Sequence, residues 1–256
     1  MFRKIEIARR YLTSLFCFFV FGSGALAIAG LIFPLCALAT REPYARRRIF
    51  AKIIRWSWTF FLWLFRATYL CKIVSQTRET LKNVRGNVIV ANHPSLIDII
   101  LLIVETRDSV CVVKESLTRN IFCRGLVNNA YLSNGLPFEE MLAQSKDLLN
   151  HGFNIIIFPE QTRTRVNTPP TIHLGAFHVA ANANAPVLPI TIKFSERILA
   201  KDQLACYPGT SCVTIDINAH PNYRVPAELA DAPRRIQARA LADKFKQIAF
   251  PQKTNA

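Results

Sequence analysis

The sequence has few acidic residues and no module typical of nucleic-acid binding. Its 256 residues contain 17 Asp and Glu against 32 Lys and Arg, a formal net charge of +15. Such a surface attracts anionic lipid headgroups, acidic proteins or nucleic acid. Nucleic-acid binding favours basic residues interleaved with exposed aromatics, whereas the aromatics here are concentrated in an apolar N-terminal region. We therefore expect membrane lipids and no nucleic acid as partners; a membrane-tethered nucleic-acid binder is an alternative that a steep salt dependence would reveal.

The cysteines form no metal or disulfide pattern. There are seven, an odd number, and they are dispersed without a C-x-x-C pair. This argues against a disulfide framework and a zinc site, and it favours a reducing cytoplasmic compartment. We expect no metal and expect most of the cysteines to pack as small hydrophobic residues.

Charged residues are absent from Tyr11 to Thr40, although arginines flank both ends of this run. A helix of about 20 apolar residues spans a bilayer, and the run is longer than that. It lacks a signal-peptide cleavage pattern, so we expect a retained anchor in the inner membrane, interrupted at Gly22-Ser23-Gly24, Gly30 and Pro34. Because both flanks are basic, a single span and a re-entrant or hairpin arrangement with both ends cytoplasmic are equally consistent.

A second apolar stretch, Trp56 to Phe65, contains all three tryptophans and lies between two arginines. It is too short to span a bilayer, and its composition predicts an interfacial helix. A buried core helix is the alternative. We divide the chain into residues 1–70, a membrane anchor with interfacial helices, residues 71–250, a catalytic domain, and residues 251–256, a disordered tail.

Short apolar runs alternate with amphipathic ones after residue 71. This alternation predicts an α/β fold, a mixed sheet flanked by helices, behind the N-terminal membrane-associated helical segment. The predicted strands are Asn87 to Ala91, Val110 to Val113, Asn154 to Phe158, Val187 to Phe194 and Cys212 to Ile217. The predicted helices are Leu96 to Glu105, Phe138 to Asn150, Gly175 to Asn182 and Pro233 to Phe250.

The segment Asn92-His93-Pro94-Ser95-Leu96-Ile97-Asp98 follows the first predicted strand. In a continuous helix, His93 and Asp98 would not share a face, since five residues turn about 140° beyond one full turn. Pro94 disfavours helical angles at His93, so the imidazole can fold back towards the Asp98 carboxylate. A carboxylate on one ring nitrogen makes the other a general base for a hydroxyl. Alone, such a pair arises often by chance.

A second strand runs into Phe158-Pro159-Glu160-Gln161-Thr162-Arg163-Thr164. Together the two segments resemble the N-H-x4-D and F-P-E-G-T-R-S motifs of the lysophosphatidic acid acyltransferase family of glycerolipid acyltransferases. Lys114 to Leu117 is similar to the family's K-x-x-L segment, and Ala185 to Ile190 is similar to its fourth motif. The resemblance covers roughly residues 84 to 195.

The resemblance implies transfer of a fatty acyl chain from acyl-CoA or an acidic acyl carrier protein to a lysolipid hydroxyl, by default that of 1-acylglycerol 3-phosphate. It implies no cofactor, no metal and no covalent acyl-enzyme, with His93 as base and Asp98 orienting it. The substrate-binding residues it implies are Asn92, Lys114, Glu160, Gln161, Thr162 and Arg163. For Glu160 and Arg163, a salt-linked turn closing the strand is the alternative.

Two departures from the family pattern affect the acceptor. Gln161 replaces the usual glycine of the third motif. The second motif, often G-x-I-F-I-x-R, is replaced by Ala130 to Leu136, which has no arginine; Arg119, Arg124 and Arg165 are candidates to replace it. A lyso-ornithine lipid or another lysolipid is therefore an alternative acceptor, and a non-catalytic lipid-binding protein is an alternative function.

Overall fold

A mixed seven-stranded sheet forms the centre of the structure, a computed structural model that describes residues 2–120, 124–165 and 170–251. The strand order is β1-β7-β6-β2-β5-β3-β4; β6 and β7 are antiparallel and the other neighbouring pairs are parallel. The strands are β1 (Cys71–Ser75), β2 (Val88–Ala91), β3 (Ser109–Val113), β4 (Leu132–Ser133), β5 (Asn154–Ile157), β6 (Val187–Phe194) and β7 (Val213–Ala219). The predicted mixed α/β sheet is therefore confirmed.

Helices cover both faces of this sheet. They are α1 (Phe2–Ala27), α2 (Phe33–Ala39), α3 (Pro43–Ala67), α4 (Arg78–Asn83), α5 (Asp98–Glu105), α6 (Arg124–Ala130), α7 (Phe138–Asn150), α8 (Gly175–Ala183) and α9 (Arg234–Ala249). The central strand β2 is buried on both sides: Ile89 and Ala91 pack into the apolar cluster that includes α3 and α5, while Val88 and Val90 pack into the cluster of α7, α8 and α9. Burial on both faces explains why β2 is a continuous apolar run.

The predicted elements are observed with small shifts at their ends. β6 and α7 match residue for residue, and the helix expected from Leu96 begins at Asp98. The prediction missed β1, β4, α4 and α6. These are short elements, and β4 has only two residues, so hydrophobic periodicity carries little signal for them.

The charge-free N-terminal run is helical from Tyr11 to Ala39, and its α-helical geometry is interrupted once, around Gly30. Between α1 and α2, a π-helical turn spans Ile28–Ile32, and the amide of Phe33 donates to the carbonyl of Ile28. Pro34 has no amide hydrogen and cannot donate to the preceding turn, and the wider π-helical turn before it allows the helix to continue without that hydrogen bond. Gly30 therefore lies inside a continuous helical path. The segment Lys4–Ala39 is long and apolar enough to cross a membrane by length and composition.

Helix α3 runs back along α1 and contains the tryptophan-rich stretch. One face is buried, with Trp58 and Phe61 packed on Phe21 of α1. The other face exposes Trp56 and Trp63, which are 77% and 58% accessible. The core-helix interpretation therefore describes one face of α3, and an interfacial role for the exposed face stays a prediction.

One apolar cluster extends across the proposed boundary at residue 70, from Cys17 and Phe65 to Ile89 and Ile190. The division into an anchor and a catalytic domain stays a prediction. The predicted tail lies, apart from Pro251, outside the described residues, as does Cys123. Cys17, Cys71 and Cys111 are buried among apolar side chains, as expected for small hydrophobic residues.

Arg10, one of the arginines that precede the charge-free run, is buried. Its side chain is 2% exposed and lies against the end of α3 and the segment before β7. The guanidinium donates to five backbone carbonyls, those of Tyr69, Leu70, Pro208, Gly209 and Ser211. Five donors in a planar fork suit such a cluster of acceptors. Arg10 therefore fixes the first part of α1 to the sheet domain.

We expect Arg10→Met to lower the free energy of unfolding by about 3 kcal/mol, because buried carbonyls lose their donors. Its neighbour provides the matched control: Arg9 is exposed and pairs with Glu6, so Arg9→Met should cost less than about 1 kcal/mol. Guanidinium unfolding of the detergent-solubilised variants measures the difference. Equal effects of the two substitutions would contradict the anchoring role of Arg10.

Candidate active site

Three parallel strands end at one edge of the sheet and bring the predicted site residues together. His93 follows β2, Lys114 follows β3, and Glu160 to Arg163 follow β5. Because β2, β5 and β3 are adjacent and parallel, their carboxyl ends share this edge. Ligands of open α/β sheets bind at such strand ends.

His93 and Asp98 are in contact. The imidazole lies outside α5, and its Nδ1 is 2.9 Å from Oδ2 of Asp98. The ring stacks on Phe158 with centroids 4.3 Å apart and keeps 19% of its side-chain surface accessible. In the part of the chain that the structure describes, Nε2 has no hydrogen-bond partner. With Nδ1 protonated towards the carboxylate, Nε2 presents a lone pair, as a general base requires.

The Asp98 carboxylate is completely buried at the start of α5. Its Oδ2 accepts a hydrogen bond of 2.7 Å from the amide of Ser95, while Oδ1 has no partner among the described residues. Burial raises the pKa of Asp98 to about 6, while the hydrogen bonds from His93 and Ser95 act in the opposite direction. Asp98 thus changes charge close to neutral pH.

Glu160 joins the loop after β5 to the loop after β2. It is 5% exposed; its Oε1 accepts from the amide of His93 at 2.9 Å and its Oε2 accepts from the hydroxyl of Thr164 at 2.7 Å. The amide of Thr164 donates back to the carbonyl of His93 at 2.8 Å. These contacts fix the backbone of His93. The substrate contact implied for Glu160 stays a prediction. The alternative was a salt link between Glu160 and Arg163, but the Arg163 guanidinium donates to the carbonyl of Leu199 instead.

Asn92 is similarly engaged with the backbone. Its side-chain amide donates to the carbonyl of Ile192 at 2.9 Å, and its oxygen accepts from the amide of Ile192 at 2.7 Å. This pair of bonds continues the pairing of β2 with β6 beyond the last strand residue. The structure thus gives Asn92 a positioning contact, and its role in substrate binding stays a prediction.

Gln161 has the backbone conformation that explains why the family usually has glycine at this position. Its φ is +55°, in the left-handed region, and its amide donates to the carbonyl of Phe158 in a tight turn. Only glycine adopts this region without steric cost. The side chain is exposed at the rim of the site.

A cavity of about 650 Å³ opens beside His93. Its walls are largely apolar, including Ile99, Met141 and Phe158, whereas Lys114, Arg163 and Lys201 are at its polar side. Arg163 donates to the carbonyl of Leu199 at 2.7 Å. The hydroxyl of Thr162 accepts from Nζ of Lys201 at 3.1 Å. The cavity therefore offers apolar contacts to a fatty chain and cationic partners to an anionic group.

Lys201 was not predicted as a site residue. It comes from the loop Ser195–Cys212 between β6 and β7, here called the β6–β7 loop, where no motif marks it. Of the candidates for the missing second-motif arginine, Arg119 pairs with Glu115 at 3.2 Å. Arg165 lies close enough to repel the Lys201 ammonium, and this repulsion is the main cause that lowers the pKa of Lys201 from its usual value. Leu136, the last residue of the altered segment, packs against the apolar cluster.

Two of the other histidines make structural contacts away from the His93–Asp98 pair. His151 is the C-terminal cap of α7, directly before Gly152, and it stacks on Tyr44. His220 pairs with the hydroxyl of Thr191. His173 differs, because it lies at the rim of the cavity. No group of three His, Cys, Asp or Glu side chains positioned to hold a metal occurs among the residues that the structure describes.

Known proteins are similar to this chain in sequence and in fold. Residues 72–193 match the family model described as Acyltransferase, and this region is called the acyltransferase domain after that model. The match begins before the region expected from the motifs and includes β1 from its second residue, Lys72. It contains the strand ends, the His93–Asp98 pair and the Glu160 loop.

The chain is similar to two curated proteins named 1-acyl-sn-glycerol-3-phosphate acyltransferase. The one from Pseudomonas aeruginosa is 32% identical over 103 residues, 40% of this chain and 40% of that protein. The one from Chlamydomonas reinhardtii is 29% identical over 163 residues, 60% of this chain and 48% of that protein. The matched region thus spans less than half the length of these relatives.

A solved structure shares the fold over nearly the whole chain. The crystal structure of the 1-acyl-sn-glycerophosphate acyltransferase PlsC from Thermotoga maritima superposes with a TM-score of 0.62 at 20% identity, covering 96% of this chain and 97% of that one. The N-terminal helices are therefore part of the shared architecture together with the acyltransferase domain.

The buried Asp98 predicts a pH dependence. Burial raises the pKa of Asp98 from 3.8 to about 6, so the folded protein binds the carboxyl proton more tightly than the unfolded chain does. The free energy of unfolding therefore falls as the pH rises from about 3.8 to about 6 and Asp98 ionises. Activity has the opposite dependence, because protonated Asp98 no longer supports His93 as a base. We expect kcat/KM for acyl transfer to fall about tenfold per pH unit below about 6. A flat profile down to pH 5, with the protein still folded, would contradict this role.

Gln161→Gly should relieve the left-handed strain and raise the free energy of unfolding by about 0.5–1 kcal/mol, after allowance for the extra freedom of glycine in the unfolded chain. Gln144→Gly, within α7, is the matched control and should destabilise by about 0.5–1 kcal/mol. Urea unfolding of both variants measures whether the free energy of unfolding rises in one and falls in the other. Destabilisation by Gln161→Gly would show that the glutamine side chain makes a contact that outweighs its strain.

Proposed function

We propose that this protein transfers a fatty acyl chain from the thioester of acyl-CoA or acyl carrier protein to the free hydroxyl of a lysophospholipid. The observation that carries the proposal is the His93–Asp98 pair with a free Nε2 at the edge of an apolar cavity that has cations on one side. The names of the curated relatives support 1-acylglycerol 3-phosphate as the acceptor.

In this reaction Nε2 of His93 takes the proton of the acceptor hydroxyl as its oxygen attacks the thioester carbonyl. The Asp98 carboxylate stabilises the resulting imidazolium through Nδ1. The carbon–sulfur bond then breaks, and the thiolate leaves with the proton that His93 returns. The free energy of activation falls because the two substrates are held together and the base is already oriented. The steps require no serine or cysteine nucleophile.

The cavity suits both parts of a lysophospholipid. Its apolar walls match an acyl chain, and Lys114, Arg163 and Lys201 match a phosphate. Thr162 and Gln161 also line this cavity, as does His93. The cations in the cavity support an acceptor that carries a phosphate.

The N-terminal helices support an association with the membrane, from whose cytoplasmic side the catalytic domain would act. Large apolar side chains on α1, α2 and α3 are exposed, including Phe19 at 73%, Leu38 at 82% and Trp56 at 77%. Such a surface is unfavourable in water and favourable in lipid. Substrates that are themselves lipids would then reach the cavity without leaving the membrane.

Replacement of His93 tests the proposal. Membranes carrying the protein are incubated with labelled acyl-CoA or acyl carrier protein and a panel of lysolipids, including 1-acylglycerol 3-phosphate and a lyso-ornithine lipid. We expect His93→Ala to reduce product formation at least about 10³-fold. The control is His151→Ala, which removes a histidine at the opposite end of β5 and should leave the rate within twofold.

Asp98→Asn separates base orientation from folding. The asparagine amide would donate to Nδ1, placing the ring proton on Nε2, the tautomer that cannot accept the hydroxyl proton. Activity should fall about as far as in His93→Ala, while the free energy of unfolding stays the same or rises. Full activity of either variant would reject the mechanism. Absence of product with every acceptor would favour a non-catalytic lipid-binding protein.

A further inference from the structure

We infer that Lys201 binds the phosphate of the substrate and thereby replaces the arginine missing from the second motif. This inference rests on the proposed function. The ammonium lies on the side of the catalytic cavity where Lys114 and Arg163 are found, and it reaches Thr162 of the loop after β5. The segment Ala130 to Leu136 contributes Asn134 to the same cavity but no cation.

The cations around Lys201 form no close ion pair in the described part of the chain, where Lys114, Arg163, Arg165 and Lys201 have no acidic partner within 4 Å. The carboxylate of Asp202, next to Lys201, pairs with Arg197 and is also influenced by Arg165. Repulsion from Arg165, followed by desolvation and by Lys114 and Arg163, lowers the pKa of the exposed Lys201. A cluster of like charges costs free energy unless an anion binds among them, and a phosphate has several acceptor oxygens for them.

The β6–β7 loop holds the residues beside Lys201 in a defined conformation. Buried Leu199 adopts φ +50°, and its carbonyl accepts from Arg163 and from the amide of Leu96. The side chain of Gln203 accepts from the amide of Ala200 at 2.9 Å and donates to the carbonyl of Arg197 at 2.8 Å. A lysine on this turn is therefore positioned relative to both catalytic loops.

A phosphate at Lys201 has two possible sources, the acceptor headgroup or coenzyme A. The test compares the wild type with Lys201→Gln, which removes the charge and leaves a polar side chain one atom shorter, and with Lys201→Arg. Lys146→Gln is the matched control, because Lys146 is exposed on α7 and does not line the cavity. Values of KM and kcat are measured for 1-acylglycerol 3-phosphate, for the uncharged acceptor monoacylglycerol and for acyl-CoA.

We expect Lys201→Gln to raise KM about tenfold for the substrate whose phosphate it binds, and Lys201→Arg to remain within about threefold of wild type. A rise confined to the phosphorylated acceptor, with the uncharged acceptor unaffected, assigns the headgroup. A rise confined to acyl-CoA assigns the donor. The inference is overturned if both KM values stay within twofold, or if only kcat falls.

Binding distinguishes failure of this inference from failure of the proposed function. If wild-type protein forms no product with any acceptor, the proposed function fails, and the role of Lys201 is judged by calorimetric titration with glycerol 3-phosphate. Weaker binding by at least fivefold in Lys201→Gln, but not in Lys146→Gln, would support the inference. Equal affinities in the three proteins would overturn it.

Discussion

The carboxylate of Glu160 holds the candidate site together, because it connects loops that follow two different strands. His93 cannot be positioned by the helix that carries Asp98, since its ring lies outside α5. Its backbone is fixed instead by Glu160 and Thr164, which both belong to the loop after β5. Phe158 from the same loop stacks on one face of the imidazole ring. His93 therefore depends on the loop after β5 for its position and on Asp98 of α5 for its tautomer.

Burial of Asp98 lowers the stability of the folded protein but favours the hydrogen bond that orients His93. An ionised carboxylate with one oxygen unpaired is unfavourable in the protein interior, and the raised pKa expresses this cost. The same burial keeps water from competing for Nδ1 of His93, so the hydrogen bond between the two side chains is retained. The left-handed Gln161 is a second local cost next to the cavity. Both local costs fall at residues of the candidate site, where such strain is often found.

The sequence predicts the sheet and the contact between His93 and Asp98 well because each has a local signal. Continuous apolar runs mark β2, β5 and β6, and Pro94 explains how His93 leaves the helical path. Other features depend on contacts that are distant in sequence. Nothing local indicates that Arg10 is buried, because its five acceptors are contributed by segments about 60 and 200 residues away. The short β1 and β4 are stabilised by pairing with neighbouring strands and lack a clear periodicity.

Lys201 was missed for the same physical reason, and its environment links the two ends of the molecule. The β6–β7 loop contacts the loops after β2 and β5 through the carbonyl of Leu199. Its second half contacts α1, where Ser14 and Tyr11 donate to the carbonyls of Cys206 and Ala205. Arg10 binds the last residues of the same loop. The apolar N-terminal helix is thus joined by direct hydrogen bonds to the loop that carries Lys201.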